Sequence, residues 1–300
     1  MDPVAKNPAS SLPATVTDAQ GTKVTISDTS RILPIDLYGT SSRIVFDLGL
    51  GKNVVGRDMS SDFDEIKGLP LVTHNGHELN AEAILELSPS VIITDSSLGP
   101  WDVVLQMREA GIPVFVVDSH RSLENSQEMI KQIANALGVP DHGAALAKRT
   151  DEQVKSMTEQ IAAIAPQGDD RLRMLFLYAR GQSGVYYLFG EGSGADSLIS
   201  SLGGIDVASE IGWKGMRPMT DEALVEAAPD LVIMMTSGLE SAGGVEGIMT
   251  SVPALAHTPA GTKNRIVDMA DSEVLSFGPN SAAILEALSV AVYAPGSEAN

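Results

Sequence analysis

The chain of 300 residues contains no cysteine. Disulfides, thiol nucleophiles and cysteine-ligated zinc are thereby excluded, while the compartment stays open. Basic side chains are scarce, 20 against 39 acidic ones, for a net charge of −19. A nucleic-acid partner needs a basic face that displaces counterions, so that class is excluded. The acidity favours docking on a basic partner. No apolar run approaches the roughly 18 residues that a membrane span requires. Catalytic signatures are also missing: there is no G-x-S-x-G, no H-E-x-x-H and no P-loop lysine. No nucleophile–base pair is nominated, and an enzyme is not expected. The opening MDPVAKNPASSLPATVTDAQG is polar and rich in Pro, Ala, Ser and Thr. It matches neither a signal peptide nor a helix and reads as a flexible tether.

One stretch occurs twice. LNAEAILELSPSVIIT at Leu79–Thr94 returns as MTDEALVEAAPDLVIM at Met219–Met234. Glu82 and Glu222, Glu86 and Glu226, and Pro89 and Pro229 each lie 140 residues apart. Both copies read as a short helix, a proline stop and a buried strand. Two such units imply two similar lobes.

Around and between these anchors, strands and helices alternate. A hairpin is expected around Ala19–Gly21, then a strand near Ile32–Leu37, a helix in GTSSRIVFDLGLG and a strand in NVVGRD. LPLVTHNGHELN reads as a loop, SVIITD and IPVFVVDSH as apolar strands, and WDVVLQMREAG as a helix. Continuous apolar strands separated by helices belong to a parallel sheet covered on both faces. Ser122–Leu137 is expected to be helical. Asp141–Ala165 carries an apolar stripe at helical spacing and would run about 37 Å. It falls at mid-chain and reads as a connector. Strands then return in RMLFLYAR, GVYYLFGEG, DLVIMMT and RIVDMAD, with WKGMRPMT as a loop and SAAILEALSVAVY as the last helix before a frayed APGSEAN. The expected architecture is α/β: two Rossmann-like lobes with mainly parallel sheets joined by a long helix. Its parts are a tether and hairpin over 1–30, an N-terminal lobe over 31–121, a helical connector over 122–170 and a C-terminal lobe over 171–300.

His120 follows the apolar strand VFVVD at its C-terminal end, where open α/β sheets bind ligands. A neutral imidazole there can take a metal or hemin iron; it can equally cap the following helix. His74 and His77 sit in the loop ahead of the first copy. Their spacing can serve a metal, but a loop fixes it weakly. The matching loop of the second copy offers Met216, a soft thioether, and Arg217, which can clasp a carboxylate. Glu82 and Glu222 stand in the first helical turn, where acids interact well with the helix dipole. Gly190–Ala195 approximates the dinucleotide turn G-x-G-x-x-A, without a strand-end acid about 20 residues on.

Taken together, RILPIDLYGTSSRIVFDLGLGKNVVGRD, LPLVTHNGHELNAEAILELSPSVIITD, the connector, GEGSGADSLISSLGGID and GMRPMTDEALVEAAPDLVIM resemble substrate-binding proteins of bacterial ABC importers. The class has two lobes joined by one long helix and carries siderophores, hemin and cobalamin. VVDSHRS resembles the segment in which actinobacterial hemin binders place an axial histidine, here His120. In that subfamily a tyrosine commonly precedes the R/K-P-L/M-T-x-E motif, here Arg217–Glu222; this chain has Met216 instead. The resemblance implies capture of heme b as transported cargo between the lobes, with His120 on iron. It offers Met216 as a possible second axial ligand, Arg217 near a propionate, and His74 and His77 in the ligand loop. It further implies docking of Glu82 and Glu222 on an ABC permease dimer. The expected location is extracytoplasmic, as a periplasmic protein or a cell-surface lipoprotein whose lipid anchor is absent from this chain. Alternatives are a ferric siderophore, cobalamin or a bare metal ion, and, from another class, a dinucleotide-dependent enzyme.

Overall fold

The computed structural model describes residues 1–179, 181 and 186–294; the first residues of GVYYLFGEG and nearly all of the APGSEAN tail lie outside them. Contacts divide the chain into two units. One comprises Met1–Ser119, Asn125–Asp151 and Ser276–Pro279. The other comprises His120–Glu124, Glu152–Leu275 and the chain from Asn280 onwards.

In the first unit, strands β1 (Ala14–Thr17) and β2 (Lys23–Ile26) form the expected hairpin, with Thr17 opposite Lys23. Strand β3 (Ile32–Ile35), helix α1 (Thr40–Asp47), the short strands β4 (Thr73–His74) and β5 (Glu78–Leu79) and helix α2 (Ala81–Glu86) follow. Strand β6 (Val91–Thr94), helix α3 (Trp101–Glu109), strand β7 (Val114–Val116) and helix α4 (Ser126–Ala136) complete the series. The sheet is parallel, in the order β3-β6-β7. All three strands are buried along their whole length, as continuous apolar runs require.

Two expectations fail here for identifiable reasons. Residues 1–30 are no tether. The Val4 N–H donates to Asp47 O at 2.9 Å and the Ser11 N–H to Gly138 O at 2.7 Å, while Val4, Leu12 and Val16 pack on the core. The expected strand over 53–58 is reduced to single bridges, Val54 to Ile32 and Arg57 to Leu71. Gly56 is pressed so close that a Cβ would lie 2.5 Å from a Leu87 methyl. Asp58 then turns the chain, accepting from Ser61 N–H at 2.8 Å and Asp36 N–H at 3.1 Å. Asp36 accepts from the N–H groups of Tyr38, Thr40 and Ser41 at 2.8, 3.1 and 2.7 Å, which fastens the start of α1. Both carboxyls are buried. Burial, and next the negative charge of Asp36, push the Asp58 carboxyl up to about 7.

Helix α5 (Pro140–Ile164, 25 residues) matches the expected long helix to within one residue at each end. Its residues through Asp151 group with the first unit and those from Glu152 with the second.

The second unit continues with strand β8 (Arg173–Ala179), strand β9 (Tyr186–Phe189), helix α6 (Ala195–Ser201), strand β10 (Ile205–Asp206), helix α7 (Val207–Glu210) and strand β11 (Met216–Pro218). Then come helix α8 (Asp221–Ala227), strand β12 (Leu231–Met235) and helices α9 (Thr236–Ala242), α10 (Gly244–Ser251) and α11 (Pro259–Thr262). Strand β13 (Ile266–Met269) and helices α12 (Asp271–Val274) and α13 (Ser281–Tyr293) close the described chain. The sheet order is β11-β9-β8-β12-β13, with β10 beside β8. Strands β8, β10, β12 and β13 are parallel; β9 alone is reversed, antiparallel to both of its neighbours, β8 and β11. WKGMRPMT therefore contributes an edge strand rather than only a loop.

The duplication extends further than the sequence alone reveals. Ile84 and Leu224 point inward, Pro89 and Pro229 are buried, and Ser88 and Ala228 both adopt the left-handed region, with φ 43° and 45°. The Ser90 N–H donates to Arg31 O at 2.8 Å, and the Asp230 N–H to Arg173 O at 2.7 Å. Each of those arginines bonds back to the repeated helix: Arg31 Nε donates to Leu87 O at 3.1 Å and Arg173 Nη2 to Ala227 O at 3.1 Å. A cation on the last carbonyls satisfies acceptors that a helix end leaves open.

Candidate heme site and docking helices

Strand β7 delivers the chain to Val117, which is buried, and Asp118, Ser119 and His120 emerge into solvent. Arg121 and Ser122 turn back inside. The segment is then held from α6: the Leu123 N–H donates to Ser197 Oγ at 3.2 Å, and Ser197 Oγ donates to Glu124 Oε2 at 3.0 Å. His120–Glu124 accordingly group with the second unit, not with the lobe that supplies the preceding strand. Sequence order places His120 at the end of the N-terminal lobe; the residues after it, Leu123 and Glu124, bond to Ser197 of the second unit. The expected helix from Ser122 begins only at Ser126, because these residues are engaged with α6.

The loop that precedes α6 is bonded to the loop that carries Met216 and Arg217. The Gly190 N–H donates to Gly215 O at 3.0 Å, the Glu191 N–H to Trp213 O at 2.8 Å and the Gly215 N–H to Glu191 O at 2.9 Å. Lys214 pairs with Glu191 at 3.2 Å. Gly190 is required at this approach, since a Cβ would stand 2.3 Å from Trp213 O. The same turn is already filled from within. Asp196 accepts the Gly192 N–H at 2.8 Å and the Gly194 N–H at 3.0 Å. A pyrophosphate would need those donors, so the dinucleotide reading of Gly190–Ala195 loses its physical basis.

Met216 is 54% exposed on the edge strand, opposite Phe189. Arg217 is exposed and donates through Nε to Lys214 O at 3.2 Å; among the described residues it makes no ion pair. Strand alternation sends Met216 and Arg217 to opposite faces. Arg217 stands across from Leu188, on the buried core face, and reaches solvent because β11 is at the edge.

His74 and His77 lie in the first unit, at the tip of the β4–β5 hairpin. His74 is exposed and 3.4 Å from the Glu78 carboxylate; His77 is half-buried. Among the described residues no group of three or more acidic or histidine side chains is gathered to hold a bare metal ion.

The model of one family, periplasmic binding proteins, matches residues 35–273. The chain belongs to the periplasmic binding protein family. Among solved structures it is similar to the heme binding protein HmuT, at 40% identity and a TM-score of 0.92, covering 97% of this chain and 93% of that one. It is also similar to the periplasmic heme-binding protein RhuT from Roseiflexus sp. RS-1, at 34% identity and a TM-score of 0.81, covering 89% and 99%. The ABC transporter substrate-binding lipoprotein YvrC of Bacillus subtilis (strain 168), an uncharacterized protein, is 24% identical over 97% of this chain and 89% of its own length.

This periplasmic binding protein presents its two repeated glutamates alike. Glu82 and Glu222 are exposed in the first turns of α2 and α8. Asn80 and Thr220 cap those helices, each accepting the N–H of the alanine after the glutamate, at 3.1 and 3.3 Å. One turn on, Leu85 and Val225 are 45% and 41% exposed. Beside Glu222, the Tyr186 hydroxyl donates to Asp221 at 2.7 Å, and burial together with that bond holds the phenol above its ordinary range.

Proposed function

We propose that this protein is the extracytoplasmic hemin-capturing component of an ABC importer, taking heme b as cargo and handing it to a membrane permease. The observation that carries the reading is the exposed His120, raised past the end of a buried strand at the start of a segment whose Leu123 and Glu124 bond to Ser197 of α6. A positioned neutral imidazole is a standard iron ligand for heme. The similarity to HmuT supports it, at 40% identity over nearly the whole chain. HmuT has been solved with a histidine, a tyrosine or an arginine replaced by alanine, the tyrosine lying two places before the arginine. Here His120 and Arg217 stand ready, while Gly215 lies two places before Arg217. Arg217, exposed and without an ion pair among the described residues, would bind a heme propionate.

Glu82 and Glu222 would seat the protein on arginines of the permease. Their matched caps and exposure support two equivalent contacts. No bond of the cargo changes, so the chain acts as a carrier rather than a catalyst. Thermal unfolding of the protein with hemin, cobalamin or a ferric siderophore tests the cargo class, because a bound ligand raises the transition. Stabilisation by hemin alone supports the proposal; stabilisation only by another cargo overturns it.

A further inference from the structure

A groove runs along helix α8 beside Glu222, within the second unit. Its far wall is the short helical turn Pro253–His257, which packs directly on α8. Leu224 and Ala227 of the helix and Leu255 of the turn enter one buried cluster. The Ala260 N–H donates to Pro229 O at 2.8 Å, tying the chain after the far wall to the chain after α8. Both walls are thus fixed by the core, and the cleft between them has a volume of about 510 Å³.

The lining sorts by chemistry. Val225, Pro253 and Ala254 supply apolar surface, and Val225 is 41% exposed. Asp221, Glu222 and Glu226 stand on the helix wall, and His257 on the other. Among the described residues no lysine or arginine lines the groove. Asp221 is already engaged, because the Tyr186 hydroxyl donates to it at 2.7 Å. Glu222 and Glu226 are exposed and have neither an ion pair nor a side-chain hydrogen bond among the described residues. They lie four residues apart on one helix face, where like charges repel and weaken a helix. The helix dipole favours Glu222 in the first turn but disfavours Glu226 in the last. Glu226 therefore costs the helix stability and meets no cation of its own chain.

We infer that this groove takes an arginine side chain of the permease, its alkyl stem on Val225, Pro253 and Ala254 and its guanidinium between Glu222 and Glu226. The inference rests on the importer reading above and goes beyond it, because Glu226 and the Pro253–His257 turn become part of the partner surface. A long basic side chain buries its stem along apolar surface while its charged head meets carboxylates. Arginine suits the pair better than lysine, since its planar fork serves two acceptor groups at once. A bare metal ion finds no further ligands on the apolar floor.

Permease-dependent hemin uptake is measured in cells carrying the full chain as parent, Glu226→Gln, His257→Arg and Glu222→Lys, beside hemin titration of each purified protein. Glu226→Gln is expected to lower uptake by about threefold, the worth of one exposed ion pair. His257→Arg sets the chain's own guanidinium in the groove and is expected to lower uptake by about tenfold or more. Each purified variant is expected to titrate with hemin as the parent does, which separates a lost docking surface from a lost fold. A blocked Leu-Arg-Leu peptide and its citrulline counterpart are also titrated into the isotope-labelled parent. The arginine peptide alone is expected to shift the amide resonances of α8 and Pro253–His257. Undiminished uptake in Glu226→Gln and His257→Arg with Glu222→Lys impaired, or equal shifts from the citrulline peptide, overturns the groove and leaves docking through Glu222 standing. Undiminished uptake in all three variants, or no hemin uptake with the parent, overturns the reading on which it rests as well.

Discussion

Leu123 and Ser197 are joined by a hydrogen bond of 3.2 Å, three residues past His120. The serine hydroxyl also donates to Glu124, so a single side chain ties both residues to α6. These bonds are one of the ties that hold the segment carrying His120. Ser197→Ala is expected to weaken hemin binding by about fivefold, corresponding to roughly 1 kcal/mol for a part-buried bond. The Soret maximum should keep its position, since the ligand itself is retained. Hemin titration of the variant checks this; an unchanged affinity would show that Ser197 does not position the histidine.

The buried carboxyl pair of Asp36 and Asp58 makes stability depend on pH. Folding raises the Asp58 carboxyl from 3.8 to about 7. Between those values the folded state holds more protons than the unfolded chain, so stability falls as pH rises through this window and levels off above it. Below about 3.8 that contribution is fully present. Asp58→Asn, which cannot ionise, is expected to flatten the decline. Urea unfolding midpoints measured across this window provide the check; parallel profiles for parent and variant would place the pH dependence elsewhere.

Arg173 closes the end of the second repeated helix through Ala227 O and pairs with Glu210 at 2.6 Å. The Glu210 carboxyl is held below its usual range by the Arg173 bond. The pair is substantially exposed, so screening makes the carbonyl contact the larger part of its worth. Arg173→Ala is expected to lower stability by about 1–2 kcal/mol, and Arg31→Ala, at the more exposed copy, by less. Denaturant midpoints of the two variants compare the copies directly.

Charge reversal separates cargo from partner. Glu82→Lys and Glu222→Lys are expected to leave hemin affinity unchanged and to cut permease-dependent hemin uptake by about tenfold or more each, since a like charge would meet the permease arginines. Uptake by cells carrying each variant, with binding measured on the purified protein, tests both halves. Normal uptake in both variants would remove the docking role.

Much of this fold was legible in the residues, because local pattern and tertiary outcome agree. The 140-residue offset, the apolar strands and the long helix Pro140–Ile164 follow from periodicity and stop signals. What the residues concealed was long-range. Val4 and Leu12 are too sparse to signal packing, yet they anchor the first residues on the core. Met216–Pro218 becomes a strand only because β9 offers an open edge. Asp196 reads as an ordinary first-turn acid until its bonds to Gly192 and Gly194 are seen. The place of His120 after an apolar strand is visible in the residues, but the ties of Leu123 and Glu124 to Ser197 are not, since Ser197 lies far along the chain. An aromatic face on β8 and β9 is present as alternation in LFLYA and YYLF and needs the β8–β9 register to become one surface.

Ligation of hemin iron by His120 is tested by titrating hemin into the parent protein and His120→Ala while following the Soret band. A sharp, shifted band is expected to saturate in the parent and to be lost or displaced in the variant, with the variant's fold intact by circular dichroism. A parent spectrum indistinguishable from free hemin, or an identical saturating band in His120→Ala, would contradict it.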